Sequence, residues 1–273
     1  MSELTFREEL KQEPINVPRA ALRFAKEIAY PELDVDQYMG RLNQLSNWAD
    51  KVISPRSEIQ HQALALAEFL FQEFGFHGNT TDYGDPRNSY LNDVLDLLLG
   101  IPISLSTIYV AVAQRIGVPA RGVALPGHFI VSVQHNYGDI FLDPFNSGRQ
   151  LSIEDCEQLV RATTGSHEPF RLEWLQPASP KNILTRMLNN LRIIYLQREA
   201  WAYARSVIEH LEMIQPTNND LLRDLGVIYH KGGSLRKAVD YYMEYLTRSP
   251  DAPDVDLVKR NLRIAAQHLA RLN

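Results

Sequence analysis

The chain has 273 residues, 45% of them hydrophobic and 22% charged, with a single Cys. That composition fits a globular protein of one or two domains and excludes disordered, collagen-like and disulfide-scaffold classes; one Cys supplies neither an internal disulfide nor the paired thiols of a structural zinc site. The formal charge of −5 is uneven: residues 1–180 carry 14 Lys+Arg against 23 Asp+Glu, residues 181–273 carry 14 against 10, so two units with different surfaces are expected, the second suited to an acidic or mixed partner.

No Lys/Arg run or basic–aromatic interleaving points to nucleic acid. The longest clean apolar run, Ile108 to Ala113, is too short to span a bilayer. No signal peptide is visible at the N-terminus, so a cytoplasmic protein with no membrane contact is expected.

Residues 17–30 and 57–74 read as amphipathic helices, the second with Ile59, Ala63, Leu66, Leu70 and Phe74 along one face. Asp85-Pro86, a cap residue followed by Pro, opens a further helix that passes Asn88 and Asn92 and ends at Gly100. Asn88 and Asn92 then share a face and either hydrogen-bond to the Pro126-Gly127 loop or line a cleft. Ile101-Pro102 breaks the chain, and a buried helix covers about Ser104 to Ile116, stopped by Gly117 and Pro119.

Beyond this point the character changes. Ala120 to Leu125 has the content of a short strand, and 128–133 and 139–143 are β-rich runs around a turn with Asn136 and Gly138. Ser152-x-x-Asp155 has the form of a capping box opening a helix to about Arg161. The segment Thr163 to Pro180 holds three prolines. The fold class is therefore α+β, a helical N-terminal part plus a small antiparallel sheet, followed by an all-α segment. The expected boundaries are 1–165 for the first domain, 166–180 for a linker and 181–273 for the helical part.

Residues 181–273 repeat internally. A shift of 34 positions sets Leu188 on Leu222, Leu191 on Leu225, Tyr195 on Tyr229, Ala204 on Ala238 and Pro216 on Pro250. The period and residue types resemble the tetratricopeptide repeat, two antiparallel helices with a small residue where they cross. Two copies and an Arg- and Lys-rich capping helix over 254–272 are expected. The array implies a protein or peptide partner. Arg192 stands where the second copy has Gly226, a departure expected to open the packing there.

His128 and Asp143 sit on the two runs of the hairpin. With His135-Asn136 as a two-residue turn, His128 faces Asp143 and Ile130 faces Phe141, which brings imidazole and carboxylate together on one face. Such a carboxylate fixes the tautomer of the imidazole and stabilises its cation. Taken alone, a His and an Asp fifteen residues apart are better explained as a structural hydrogen-bonded pair.

The stretches Gly117-Val-Pro-Ala-Arg121, Gly127-His128-Phe and Leu142-Asp143-Pro144 resemble the core of the transglutaminase-like, papain-related superfamily. Asn88-Ser-Tyr-Leu-Asn92, Gly100-Ile-Pro-Ile-Ser-Leu105 and Asp143-Pro-Phe-Asn146 resemble its SirB-type branch, found with C-terminal tetratricopeptide repeats. The resemblance implies a triad of Cys at a helix start with His128 and Asp143. Counting back from Gly117 places that Cys at Pro102, and the lone Cys156 lies beyond Asp143 in a different element. Cys156 reads more simply as a small half-buried residue.

Two hydroxyls remain near the expected helix start, Ser104 and Ser106. Unpaired backbone N–H groups there favour a nucleophile or an oxyanion, and Ser104 is equally suited to cap the helix. The candidate catalytic set is Ser104, His128 and Asp143; the candidate cleft set is Asn88, Asn92, Ser106 and Gly127. No metal-ligand spacing and no phosphate or cofactor motif is present. A non-catalytic interaction module is the expected function. The alternatives are a Ser-dependent acyl-transfer enzyme, a protease or amidase, and a peptide- or amide-binding cleft without turnover.

Overall fold

The structure is a computed structural model that describes residues 3–166 and 168–272. The extreme ends of the expected segments, residues 1, 2 and 273, and His167 of the expected linker lie outside the described residues. The chain divides into two compact units, Met1–Met187 and Leu188–Asn273.

The first unit opens with helices α1 (Phe6–Glu9), α2 (Val17–Ile28), α3 (Val35–Val52) and α4 (Ile59–Glu68), the last widening into a π turn over Phe69–Glu73. Asn16 and Asp34 cap α2 and α3 by accepting from the N–H of Arg19 and Gln37. A short parallel pair follows, β1 (His77–Gly78) with β2 (Leu99–Gly100), and between its strands lies α5 (Leu91–Leu97). Helix α6 (Pro102–Arg115) is buried at Pro102–Tyr109 and again at Ala111–Ala113. A helix apolar on all sides needs neighbours on all sides. Helices α2, α3 and α4 and strands β3 (Ala120–Val123) and β4 (Ile130–Val133) supply them. With β5 (Ile140–Asp143) and β6 (Arg149–Leu151), β3 and β4 make an antiparallel sheet of order β3-β4-β5-β6. Helix α7 (Ile153–Thr164) starts on a capping box between Ser152 and Asp155.

Three expectations are corrected. The Asp85-Pro86 signal opens a 3-10 turn over Pro86–Ser89, not an α-helix, and the chain is extended at Tyr90 (φ −92°, ψ 119°) before α5 begins. Asn88 and Asn92 therefore do not share one helix face. The side chain of Asn88 donates to the carbonyls of Asp82 (2.8 Å) and Tyr83 (3.3 Å), which holds the turn against the preceding loop, and Tyr90 is buried against Phe24 and Tyr30.

The second correction is the hairpin register. Gly138 N–H donates to His135 O at 3.3 Å, so the turn centres on Asn136-Tyr137 and pairs Val131 with Leu142, Ser132 with Phe141 and Val133 with Ile140. The shift moves each residue's partner by two positions, which preserves the face it occupies. The third concerns residues 166–180, which are not a free connection: Ala178 N–H donates to Gly122 O, Pro177 bridges Val123, and Leu175 joins the core of Val123, Leu125, Ile130, Phe141, Leu151, Cys156 and Val160. The division between units falls instead between Met187 and Leu188, inside α8 (Pro180–Gln197).

The second unit holds the rest of α8, then α9 (Trp201–Ile214), α10 (Asp220–Lys231), α11 (Leu235–Arg248) and α12 (Val255–Leu272). The residues equated by the 34-position shift behave alike: Leu188, Leu191 and Ala204 are buried, as are Leu222, Leu225 and Ala238. Tyr195 stacks on Tyr203 and Tyr229 on Tyr241, ring centres 5.0 and 5.3 Å apart. In the second copy α10 meets α11 closely at Gly226, where an added Cβ would lie 2.5 Å from the buried Tyr242 ring. In the first copy Arg192 at the same position reaches Asp224 with a 3.1 Å ion pair.

Gly226→Ala is expected to destabilise the second unit by about 1–3 kcal/mol through overpacking against Tyr242. Gly40→Ala, inside α3 with open space around its Cβ position, is expected to stabilise the chain by up to about 1 kcal/mol. Urea denaturation of the two variants beside the parent checks the opposite signs.

Candidate functional site

His128 reaches its place through a tight turn. Its N–H donates to Leu125 O at 3.2 Å, and Gly127 carries φ +73°. A Cβ on Gly127 would also lie 2.4 Å from Thr163 Oγ1, so both backbone and space demand glycine there. Asp143 ends β5 and caps the 3-10 turn Pro144–Asn146, with Oδ1 accepting from the N–H of Phe145 (3.1 Å) and of Asn146 (3.4 Å). The same Oδ1 meets His128 Nε2 at 3.0 Å, while Oδ2 accepts from Asn146 Nδ2 at 2.7 Å. The His–Asp contact is thus diagonal across the hairpin, not directly opposite.

Both groups are buried, His128 at 5% exposure and Asp143 at 0%. Burial by itself raises the Asp143 carboxyl pKa; the hydrogen bond and charge of His128, with the Asn146 donors, outweigh it and hold the group below its ordinary value. Phe145 packs edge-on to the imidazole at 6.1 Å. Asn146 and Phe145 are absent from the sequence-predicted set, although the Asp143-Pro-Phe-Asn146 run contains them. Arg186, whose Nη1 donates to Leu125 O at 2.7 Å, is a further support that no local motif announces.

The hydroxyls stand elsewhere. Ser104 is fully buried; its Oγ donates to Asn88 O at 2.7 Å and accepts from Ile101 N–H at 3.0 Å. Among the described residues no hydrogen bond joins Ser104 to His128. Pro102 is the first residue of α6, where its missing N–H costs nothing. Asn88 is brought to Ser104 through its carbonyl, and its Oδ1 accepts from Asn79 Nδ2 at 3.1 Å. Asn92 is buried with its Oδ1 unpartnered. Ser106 has its Oγ 3.4 Å from Phe129 O and borders a pocket of about 530 Å³ formed with Val110, Gln114, Arg121 and Ile183. Cys156 is fully buried rather than half-buried, and burial, then Asp155 and Asp143, push its thiol up to about 11. A thiol so protonated is inert as a nucleophile.

Among the described residues no group of three or more His, Cys, Asp or Glu is arranged to hold a metal ion, and no helix is long and apolar enough to cross a membrane.

The lowered Asp143 value makes a stabilising contribution that is present above the ordinary carboxylate pKa and is lost as pH falls through the folded value. Asp143→Asn is therefore expected to cost about 1–3 kcal/mol at neutral pH and to flatten the loss of stability below about pH 4, read by denaturant melts across pH. Cys156 is expected to react with iodoacetamide only after unfolding, as mass spectrometry with and without urea will show.

Residues 36–189 match the Transglutaminase-like superfamily, and residues 191–263 match the Tetratricopeptide repeat. A UPF0162 protein of Xylella fastidiosa is 34% identical over 253 residues, which are 92% of this chain and 90% of that protein. The human F-box only protein 21 is 34% identical over 143 residues, 49% of this chain but 22% of that longer protein. The crystal structure of menin that reveals its binding site for the Mixed Lineage Leukemia (MLL) protein covers 94% of this chain and 72% of that chain, at 13% identity and a TM-score of 0.44. With the His–Asp pair on its hairpin, the buried helix before it and a tetratricopeptide-repeat segment following in the chain, the protein belongs to the transglutaminase-like superfamily.

Proposed function

We propose that this chain is a non-catalytic transglutaminase-like domain coupled to tetratricopeptide repeats, a pseudoenzyme that acts as a cytoplasmic protein-interaction module. One observation carries the reading. The position that the resemblance gives to the nucleophile is Pro102, and the nearest hydroxyl, Ser104, spends its hydrogen bonds on Asn88 O and Ile101 N–H. A serine nucleophile needs its base within hydrogen-bonding reach, and Ser104 is committed elsewhere. The repeats supply the interaction surface, since such arrays commonly bind protein or peptide partners. The motifs shared with the SirB-type branch and the single unpaired Cys156 agree with this reading.

The 3.0 Å His128–Asp143 contact keeps a second reading in play, acyl transfer by Ser104, His128 and Asp143. A fluorophosphonate probe separates the two. The folded chain is expected to remain unlabelled at Ser104; labelling that disappears in His128→Ala would establish the enzyme. Affinity capture followed by mass spectrometry provides the positive test. The same partner is expected with the parent chain and with His128→Ala, and is expected to be lost in Lys259→Glu/Arg263→Glu, which reverses two exposed charges on α12. The opposite pattern sinks the interaction reading.

A further inference from the structure

Helices α10 and α12 flank a pocket of about 450 Å³ in the second unit. Helix α10 contributes Val227, His230 and Lys231; helix α12 contributes Asn261, Ile264 and His268. The two imidazoles lie 6.1 Å apart between ring centres, nearly perpendicular, and Tyr242 of α11 lies edge-on to His230 at 6.3 Å. Among the described residues, no carboxylate lines this pocket. Lys231 and His268 are exposed, His230 is half-buried, and Ile264 leaves over a third of its surface in water.

Three residues whose nitrogen groups are cationic when protonated therefore line one small volume, with no carboxylate among the described lining residues. Among the described residues, the charged neighbours that act on His230 are His268 and Lys231, and α11 brings the Tyr242 ring and no charged group to the pocket. Burial first, then these two cations, lower the pKa of His230. An anion placed among the three relieves that repulsion, and the apolar Val227 and Ile264 beside them offer a surface for a neighbouring aliphatic side chain. The net positive charge of residues 181–273 acts in the same direction over longer range.

We propose that this pocket binds an acidic side chain of a partner protein segment, with His230, Lys231 and His268 around the carboxylate and an adjacent apolar side chain against Val227 and Ile264. The assignment rests on the reading of the repeats as an interaction module and names the chemistry they select. It also carries a sign. A bound carboxylate favours protonated imidazole, so binding takes up protons and tightens as pH falls, by up to about tenfold for each unit that it raises an imidazole pKa.

The test uses the full chain and a fluorescein-labelled peptide of alternating Leu and Glu, read by anisotropy at about pH 8 and about pH 5.5 at constant ionic strength. A peptide with Gln in place of Glu and one with Lys serve as comparators. The Glu peptide is expected to bind more tightly at the lower pH by about tenfold, and the two comparators are expected not to bind. Lys231→Gln weakens binding at both pH values, whereas His230→Gln/His268→Gln removes the gain on acidification. His268→Gln alone, at an exposed position, is expected to halve that gain at least and guards against misfolding of the double variant. Equal binding of the Gln peptide, pH-independent binding, or a gain that survives the double variant overturns the assignment. Absence of peptide binding in a chain that still captures its partner overturns the pocket alone, while loss of both overturns the interaction reading beneath it.

Discussion

A carboxylate taken wholly out of water is tolerated only when its oxygens are engaged, and Asp143 meets that condition through His128 Nε2, two backbone N–H groups and Asn146 Nδ2. Each donor anchors a different piece of the first unit. The Phe145 and Asn146 N–H groups turn the chain out of β5, and His128 ties that corner to the neighbouring strand. Behind His128, Leu125 O accepts from both its N–H and Arg186, so the same corner reaches as far as α8. The interaction is worth having structurally whether or not chemistry follows from it, because removing any one partner leaves a buried charge short of a donor.

The start of α6 is organised on the same principle by neutral groups. Ser104 Oγ bridges Ile101 N–H to Asn88 O, joining the helix start to the 3-10 turn, and Asn88 in turn holds the loop that contains Asp82 and Tyr83. Ser104 and Asn88 thus satisfy one another and their neighbours, while the buried Asn92 Oδ1 close by in sequence is left without a partner. The second unit solves its crowding differently, with Gly226 admitting the Tyr242 ring in one copy and Arg192 reaching Asp224 in the other. One position of the repeat thus serves as a packing contact once and as an ion pair once.

How much of this the sequence discloses varies with the length scale of the signal. The repeat is legible because at least five identical residues recur at a fixed period of 34. The His–Asp pair is legible because strand residues alternate with period two, and a register error of two positions leaves His128 and Asp143 on one face. Helix α3 escapes the periodicity reading, although Asp34 caps it and Met39, Leu42, Leu45 and Ala49 are buried; the polar Ser46 interrupts the buried stripe. Strand β6, three residues long, offers no period at all. Asp85-Pro86 is a sound cap signal that begins a 3-10 turn as readily as an α-helix; here Asn88 holds the turn to the loop just before it, and Tyr90 packs on Phe24 and Tyr30, which are distant in sequence. Ser104 illustrates the general limit. A hydroxyl near a helix start looks the same in sequence whether it caps or attacks, and only its hydrogen-bond partners tell the two apart.

The proline that opens α6 has a consequence for how such a domain changes over evolutionary time. Position 102 needs no backbone N–H, and the hydrogen bonds around it belong to Ile101, Ser104 and Asn88. A side chain can therefore be exchanged there without dismantling the helix start or the Asp143 corner. A lineage built on this frame is free to change the side chain at position 102 while the fold around it stays the same.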